Sequence, residues 1–145
     1  MQIEKVDEVT EEIYKAVQGL VPYLGAHKPI PSRDELVALV ESGSSTLFIA
    51  RTIENPGQIV GMLSISVYRV PTGIRSIVED VVVDGSFRRQ GAAKALMERA
   101  IQHAKVAGAS SVSLTSNPQR EAANRLYQSM GFKKRETNVY LYEFN

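Results

Sequence analysis

The sequence contains no cysteine, which excludes disulfides, a thiolate nucleophile and cysteine-ligated metals, and fits a reducing interior. Histidine is nearly as scarce, with only His27 and His103, far apart in the chain. Neither an H-E-x-x-H nor a G-x-S-x-G is present, so a histidine metal pair and a serine–histidine triad have no support, and each histidine reads as a surface or packing residue. An excess of one charge is missing too: seventeen basic and sixteen acidic residues leave a net charge of +1. That gives no field of the kind that gathers nucleic-acid phosphates, so no nucleic-acid partner is expected and any anion must be caught locally. No apolar run approaches the roughly 20 residues that span a bilayer, and the opening Met1-Gln-Ile-Glu-Lys-Val-Asp-Glu lacks a signal-peptide pattern. No membrane partner and a cytoplasmic location are therefore expected. Without repeats, low-complexity tracts or linkers, 145 residues read as one domain over 1–145.

What is present alternates between two periodicities. Val6, Val9, Ile13, Val17 and Leu20 recur at helical spacing, predicting an amphipathic helix over about 7–19 that Gly19 and Pro22 break. Pro22 to Pro31 is rich in turn formers, and Ser32-Arg-Asp-Glu35 is a capping box opening a second short helix. Thr46 to Ile53 and Ile59 to Tyr68 are β-rich runs around the turn signal Asn55-Pro-Gly57. A further turn at Pro71-Thr-Gly73 leads into Ile74 to Val83, giving a three-strand antiparallel meander. Ala93, Leu96, Met97, Ala100, Ile101 and Ala104 predict the longest helix over 89–107, with Gly108 as its stop. Ser111 to Thr115 reads as a strand returning parallel, which makes a βαβ unit. Asn117 and Pro118 are placed to start one more helix that Gly131 closes. Phe132 to Arg135 and Val139 to Phe144 read as two last strands. The predicted order is ααβββαβαββ, a mixed, mostly antiparallel α/β (α+β) sheet.

The stretch Val81-Val-Val-Asp-Gly-Ser-Phe-Arg-Arg-Gln-Gly-Ala-Ala-Lys94 is a strand, a short basic loop and a helix start. The first amides of a helix lack intrahelical acceptors and sit at the positive end of its dipole, so they hold anions where backbone can be approached. Gly91, Ala92 and Ala93 are small enough to allow that, and Arg88, Arg89 and Lys94 add positive charge suited to a pyrophosphate. A plain helix start with solvated arginines is the alternative, and neither a P-loop nor a dinucleotide fingerprint is present.

Arg88-Arg-Gln-Gly-Ala-Ala93 resembles the R/Q-x-x-G-x-G/A signature of the GNAT N-acetyltransferase family. Glu79-Asp-Val-Val-Val83 and Ala122-Ala-Asn-Arg-Leu-Tyr-Gln-Ser-Met-Gly-Phe132 resemble that family's cofactor strand and its A-x-x-x-x-Y-x-x-x-G-F segment. The likeness runs from about residue 45 to 145; residues 1–44 agree only in having two helices and a variable loop. It implies a GNAT-type twisted sheet with a central βαβ unit and helices on both faces. It also implies acetyl-coenzyme A as cosubstrate, with no metal, and transfer of the acetyl group to an amine.

On this resemblance Val81, Val82 and Val83 meet the pantetheine arm, because their strand and the one near Val112 to Thr115 splay and free backbone groups. Arg88, Arg89, Gln90, Gly91, Ala92, Ala93 and Lys94 would hold the pyrophosphate. Tyr127 matches a tyrosine that protonates the departing thiolate, against the alternative of a boundary aromatic whose hydroxyl finds water. Arg120, Asn124 and Tyr127 stand at i, i+4 and i+7, beside an apolar stripe of Ala122, Ala123, Leu126 and Met130. Many relatives carry asparagine where this chain has Arg120, a place that Asn117 or Asn124 would have to fill. Glu79 is the candidate acceptor of the amine's proton and by two-residue periodicity shares a face with Val81 and Val83. Asp80 faces the other way unless a bulge exchanges them, and a structural ion pair is the alternative for both. Lys133-Lys-Arg135 reads as a solvated strand face, and Met62, Met97 and Met130 as core filling.

The acceptor expected is a small-molecule amine, its pocket shaped partly by the Pro22–Pro31 loop; a protein N-terminus or lysine, and a non-catalytic acetyl-coenzyme A sensor, are the alternatives. The C-terminal strands offer edges through which two copies could form a homodimer.

Overall fold

Strand pairing in the computed structural model builds one five-stranded sheet in the order β1-β2-β3-β4-β5: β1 Gln2–Lys5, β2 Ser45–Arg51, β3 Ile59–Val70, β4 Gly73–Val83 and β5 Val112–Ser113. Every residue except Asn55 is described, so the turn read at Asn55-Pro-Gly57 lies partly outside the described residues. The first three pairings are antiparallel and the last is parallel. The chain divides into two compact units, Met1–Leu114 and Thr115–Asn145.

The alternation of side chains along β2 supplies two cores from one strand. Leu47 and Ile49 join Val6, Ile13, Val17, Leu20 and Leu36 on the face of α1 (Glu11–Leu20) and α2 (Arg33–Glu41). Phe48, between them, turns to α3 (Ala92–Val106): His103 meets its ring edge-on at 5.5 Å and the Arg99 guanidinium lies 5.1 Å above it. Leu96, Met97 and Ala100 of α3 are fully buried. Burying a side chain of this size stabilises by roughly 1.5–3 kcal/mol. The expected mixed sheet, βαβ unit and helices on both faces are all present.

Local signals place the helix ends. Thr10 accepts from the Ile13 amide at 3.2 Å, and Ser32 and Glu35 complete the expected capping box at 3.1 and 2.9 Å. α3 begins three residues later than the predicted boundary, because Gly91 adopts φ +84° and serves as its N-cap.

Both ends of the predicted order need correction. Gln2–Lys5 forms an unpredicted edge strand, held by β2 through Gln2↔Arg51 to Lys5↔Phe48. Arg51 reinforces it, donating to Glu4 at 2.7 Å and to Glu12 of α1 at 2.8 Å. In the second unit α4 spans Glu121–Ser129 with Arg120 as its N-cap, not the predicted Asn117 and Pro118. The Asn117 side chain instead accepts from the Gln119 amide at 2.9 Å, forming a turn that delays the helix. Gly131 does close it, at φ +99°. Phe132–Arg135 and Val139–Phe144 form no strand; β-propensity describes a side chain suited to a ladder, and a ladder also requires a partner.

Candidate active site

The Asp84–Gly91 loop is shaped by its own backbone. Asp84 accepts from the Ser86 amide at 2.8 Å and caps a 3-10 turn over Gly85–Phe87. The chain then passes through two left-handed residues, Arg89 at φ +65° and Gly91 at φ +84°, before α3 starts. The first ladder bond at this end runs from the Ala95 amide to the Gly91 carbonyl at 3.0 Å. Gly91 supplies no side-chain cap, so the amides of Ala92, Ala93 and Lys94 are left for another acceptor. A Cβ on Gly91 would meet no atom within 4 Å, so the turn is open. Arg88, Arg89, Gln90 and Lys94 surround it, all exposed. These residues fit a diphosphate: unpaired amides, a positive helix end and mobile cations converge on accessible backbone.

β4 reaches this loop through a bulge. Met62 pairs with Val82 and Ser64 with Glu79, so Leu63 alone opposes both Asp80 and Val81. Asp80 sits at φ +53°, a left-handed conformation that aspartate tolerates better than most residues. The extra residue changes which side chains share a face, correcting the expected Glu79–Val81–Val83 alignment. Glu79 opposes Ser64, and three residues on Val82 joins Met62 in the core beneath α1 and α2. Val83 opposes Gly61 on the α3 side, where a Gly61 Cβ would meet Leu96 at 3.3 Å. Pairing with β5 is confined to Ser76↔Val112 and Ile77↔Ser113. Beyond Ile77 no pairing of β4 with β5 is formed among the described residues.

On the α1 and α2 face lies a cavity of about 370 Å³. Its lining includes Val17, Leu36, Leu47 and Met62, with Lys28, Pro29 and Pro31 from the loop after α1 and Asp80 from the bulge. Asp80, not Glu79, is the carboxylate that reaches this lining. Glu79 is exposed and its carbonyl accepts from Ser64 Oγ at 3.2 Å.

Within the second unit, Asn117, Arg120, Asn124 and Tyr127 gather at the start and one side of α4. Asn124 donates to the carbonyls of Asn117 and Arg120 at 3.0 and 2.8 Å, so its amide group fastens the helix start. Tyr127 is partly buried and meets Phe132 edge-on at 6.0 Å. Burial pushes its phenol above the ordinary value, with the Arg120 charge pulling weakly the other way. Of the remaining candidates, Met62 and Met97 are core, Met130 is only half-buried and so corrects the core reading, His27 is exposed, and His103 packs on Phe48. Burial, with Lys5 and Arg99 nearby, holds His103 below its usual value, favouring the neutral ring.

Two participants escape sequence reasoning. Tyr23 donates to Asp84 at 3.4 Å across a separation no local pattern encodes. Lys28 belongs to the Pro22–Pro31 loop expected to shape the pocket, but no local pattern singles out its side chain from the rest of that loop.

Residues 11–132 match the acetyltransferase (GNAT) family model. N-acetyltransferase family 8 member 3 of Rattus norvegicus is 34% identical over 93 residues, 63% of this chain and 40% of that protein. Human N-acetyltransferase 8 is 39% identical over 83 residues, 56% of this chain and 37% of that protein. The chain thus spans less than half the length of these curated relatives. Among solved structures, an aminoglycoside acetyltransferase from an uncultured soil metagenomic sample superposes with a TM-score of 0.83 at 23% identity, over 99% of this chain and 95% of that one. A Trypanosoma brucei acetyltransferase does so with a TM-score of 0.75 at 26% identity, over 98% and 100%. With most of its length, residues 11–132, matching the family model, the chain belongs to the GNAT acetyltransferase family.

Proposed function

We propose that the protein is an N-acetyltransferase that takes the acetyl group of acetyl-coenzyme A and passes it to a primary amine of a small molecule by direct attack. One observation carries this reading: the start of α3 is an open glycine turn with unpaired amides, ringed by Arg88, Arg89 and Lys94 and fed by β4. When bound, the coenzyme supplies the activated acetyl group as a thioester.

The chain's own residues do the rest. The Ala92–Lys94 amides and the nearby cations hold the diphosphate. The free edge of Val81–Val83 pairs with the pantetheine amides, and one strand amide faces the oxygen on which charge develops, a contribution of roughly 3–4 kcal/mol. Asp80, brought to the cavity by the bulge, takes the proton from the amine, directly or through a water, in place of the expected Glu79. Tyr127, matched by motif and kept protonated by its raised phenol value, serves as acid for the leaving thiolate. Asn117, Arg120 and Asn124 shape the helix start that carries it. Support for a small acceptor comes from the cavity of about 370 Å³, partly open to solvent and bordered by α1, α2 and the Lys28–Pro31 loop, a size suited to a small molecule.

Calorimetry with coenzyme A, followed by free-thiol detection over an amine panel, tests the reading. Heat on binding and thiol release with small amines are expected. No heat with coenzyme A overturns it, and binding without thiol release on any acceptor would mark a sensor module instead.

A further inference from the structure

The cavity beside Asp80 also bears on what kind of amine enters it. Its floor is made of Val17, Leu36, Leu47 and Met62, each no more than 4% exposed. Its charged lining is Lys28, Glu35 and Asp80, two carboxylates against one ammonium, a net charge of −1. The Glu35 carboxylate is committed to the α2 capping box, accepting from the Ser32 amide at 2.9 Å, a bond that holds its pKa below the ordinary value. Asp80 takes part in none of the ion pairs or side-chain hydrogen bonds among the described residues, and Lys28 in none of the ion pairs. One carboxylate is therefore available at the bulge, one ammonium stands on the loop, and the lining beneath them is mostly hydrocarbon, with the Ser64 hydroxyl already donating to the Glu79 carbonyl.

We infer that the acceptor is a compact monoamine with an apolar body, an alkylamine or arylalkylamine, and that polycationic amines are poorly accepted. The inference rests on the acetyl-transfer reading for its chemistry but not for its binding. A single ammonium satisfies Asp80 and cancels the net charge of the lining. The body attached to it covers the Leu36–Leu47–Met62 floor, gaining about 25 cal/mol for each Å² of apolar surface removed from water. A second ammonium on a molecule seated this way lies over that floor, unpaired, or near Lys28 unless it reaches out to Glu35 or solvent, and the first two placements are costly. Size acts the same way, since about 370 Å³ is near the lower end of the roughly 300–1,000 Å³ range of ligand pockets. A multi-ring aminoglycoside is larger and carries several ammonium groups. The aminoglycoside enzyme that superposes on this chain is 23% identical, a likeness of fold.

Two readouts test this. The first needs no coenzyme: in protein labelled at the methionine methyls, the Met62 signal, assigned with Met62→Leu, is followed as phenethylamine or spermidine is added at constant ionic strength. Phenethylamine should shift it saturably and spermidine should not. The second is thiol release with acetyl-coenzyme A, where kcat/KM for phenethylamine should exceed that for spermidine and kanamycin by about tenfold or more. Lys28→Glu should narrow the gap to spermidine by roughly threefold or more by removing a like charge. A Met62 methyl unmoved by phenethylamine, or moved equally by spermidine, overturns the inference, as does faster turnover of the polycations. If the Met62 methyl responds as expected while no amine releases thiol, the binding inference stands and acetyl transfer is what fails.

Discussion

The Tyr23 hydroxyl donates to Asp84 Oδ1 at 3.4 Å, joining the turn after α1 to the loop that precedes α3. Its ring lies against Gly85, where an added Cβ would stand 3.1 Å from Tyr23 Cε1. Val21 and Leu24, on either side of Tyr23, both line the cavity. The ring thus touches the loop before α3 and is flanked in the chain by two cavity-lining residues.

Gly85→Ala is expected to raise the coenzyme A Kd and the amine KM together, each by roughly threefold to tenfold, because overpacking displaces the ring that both loops share. Tyr23→Phe removes only a long, exposed hydrogen bond and should cost less than about 1 kcal/mol. Calorimetry and steady-state kinetics on the two variants check this; a Gly85→Ala effect on one ligand alone would deny the coupling.

Gly91→Asp separates stability from binding. The residue keeps a left-handed φ that costs an ordinary side chain about 1–2 kcal/mol, yet aspartate tolerates it and is a favourable N-cap near a positive helix end. Thermal stability should change little, while coenzyme A affinity falls by about tenfold or more, since a carboxylate now occupies the place of a phosphate. Melting temperature and calorimetry on the same sample give both numbers.

Arg51 predicts an acid response. Its bonds to Glu4 and Glu12 hold the Glu12 carboxyl below its usual 4.5. A depressed carboxylate value contributes stability that is complete above the unfolded value and is lost as pH falls through the folded one. Both partners are partly solvated, so the pair with Glu12 contributes less than about 1 kcal/mol. Arg51→Met should therefore be less stable than the parent in urea at pH 7, and the difference should shrink by pH 3.

How much of this was legible beforehand follows the range of each interaction. The Ser32–Glu35 box, the Ala93–Ala104 stripe and the Gly131 stop are encoded within a turn or two of helix, and the structure holds them where the sequence puts them. The family likeness likewise rests on contiguous residues. Gln2–Lys5 was missed because a four-residue edge strand carrying Glu4 and Lys5 shows no apolar alternation; only Arg51 and β2 make it a strand. The bulge at Asp80 is open to the sequence only as an alternative for a similar reason, since pairing across to Leu63 decides it. For Val139–Phe144 the local pattern was clear and still insufficient, with the alternation present and no ladder formed.

Tyr127→Phe should lower kcat by about tenfold or more, in the range general acid catalysis supplies, and leave coenzyme A affinity within about twofold, because the ring and its Phe132 contact remain. The raised phenol value keeps the acid form filled through the neutral range and past the ordinary 10. Parent kcat should show little loss from this group through the neutral range and up to about pH 9. A fall in kcat near pH 8 that disappears in Tyr127→Phe would contradict that environment.

The bulge also makes the two adjacent carboxylates distinguishable. Asp80 lines the cavity, whereas Glu79 offers the sheet its backbone carbonyl and leaves its side chain exposed. Asp80→Asn, which keeps a residue tolerant of left-handed backbone, should reduce kcat/KM by about a hundredfold, within the usual range for a lost proton acceptor. Glu79→Gln should do less, and the reverse order would return the role to Glu79. Asp80→Gly sharpens the comparison, because glycine relieves the φ of +53°. That variant should gain up to about 1 kcal/mol in stability while losing turnover, the behaviour of a side chain kept in a strained conformation for what it does there. If Asp80→Gly were neither more stable nor slower, the bulge would be holding Asp80 for the sheet alone.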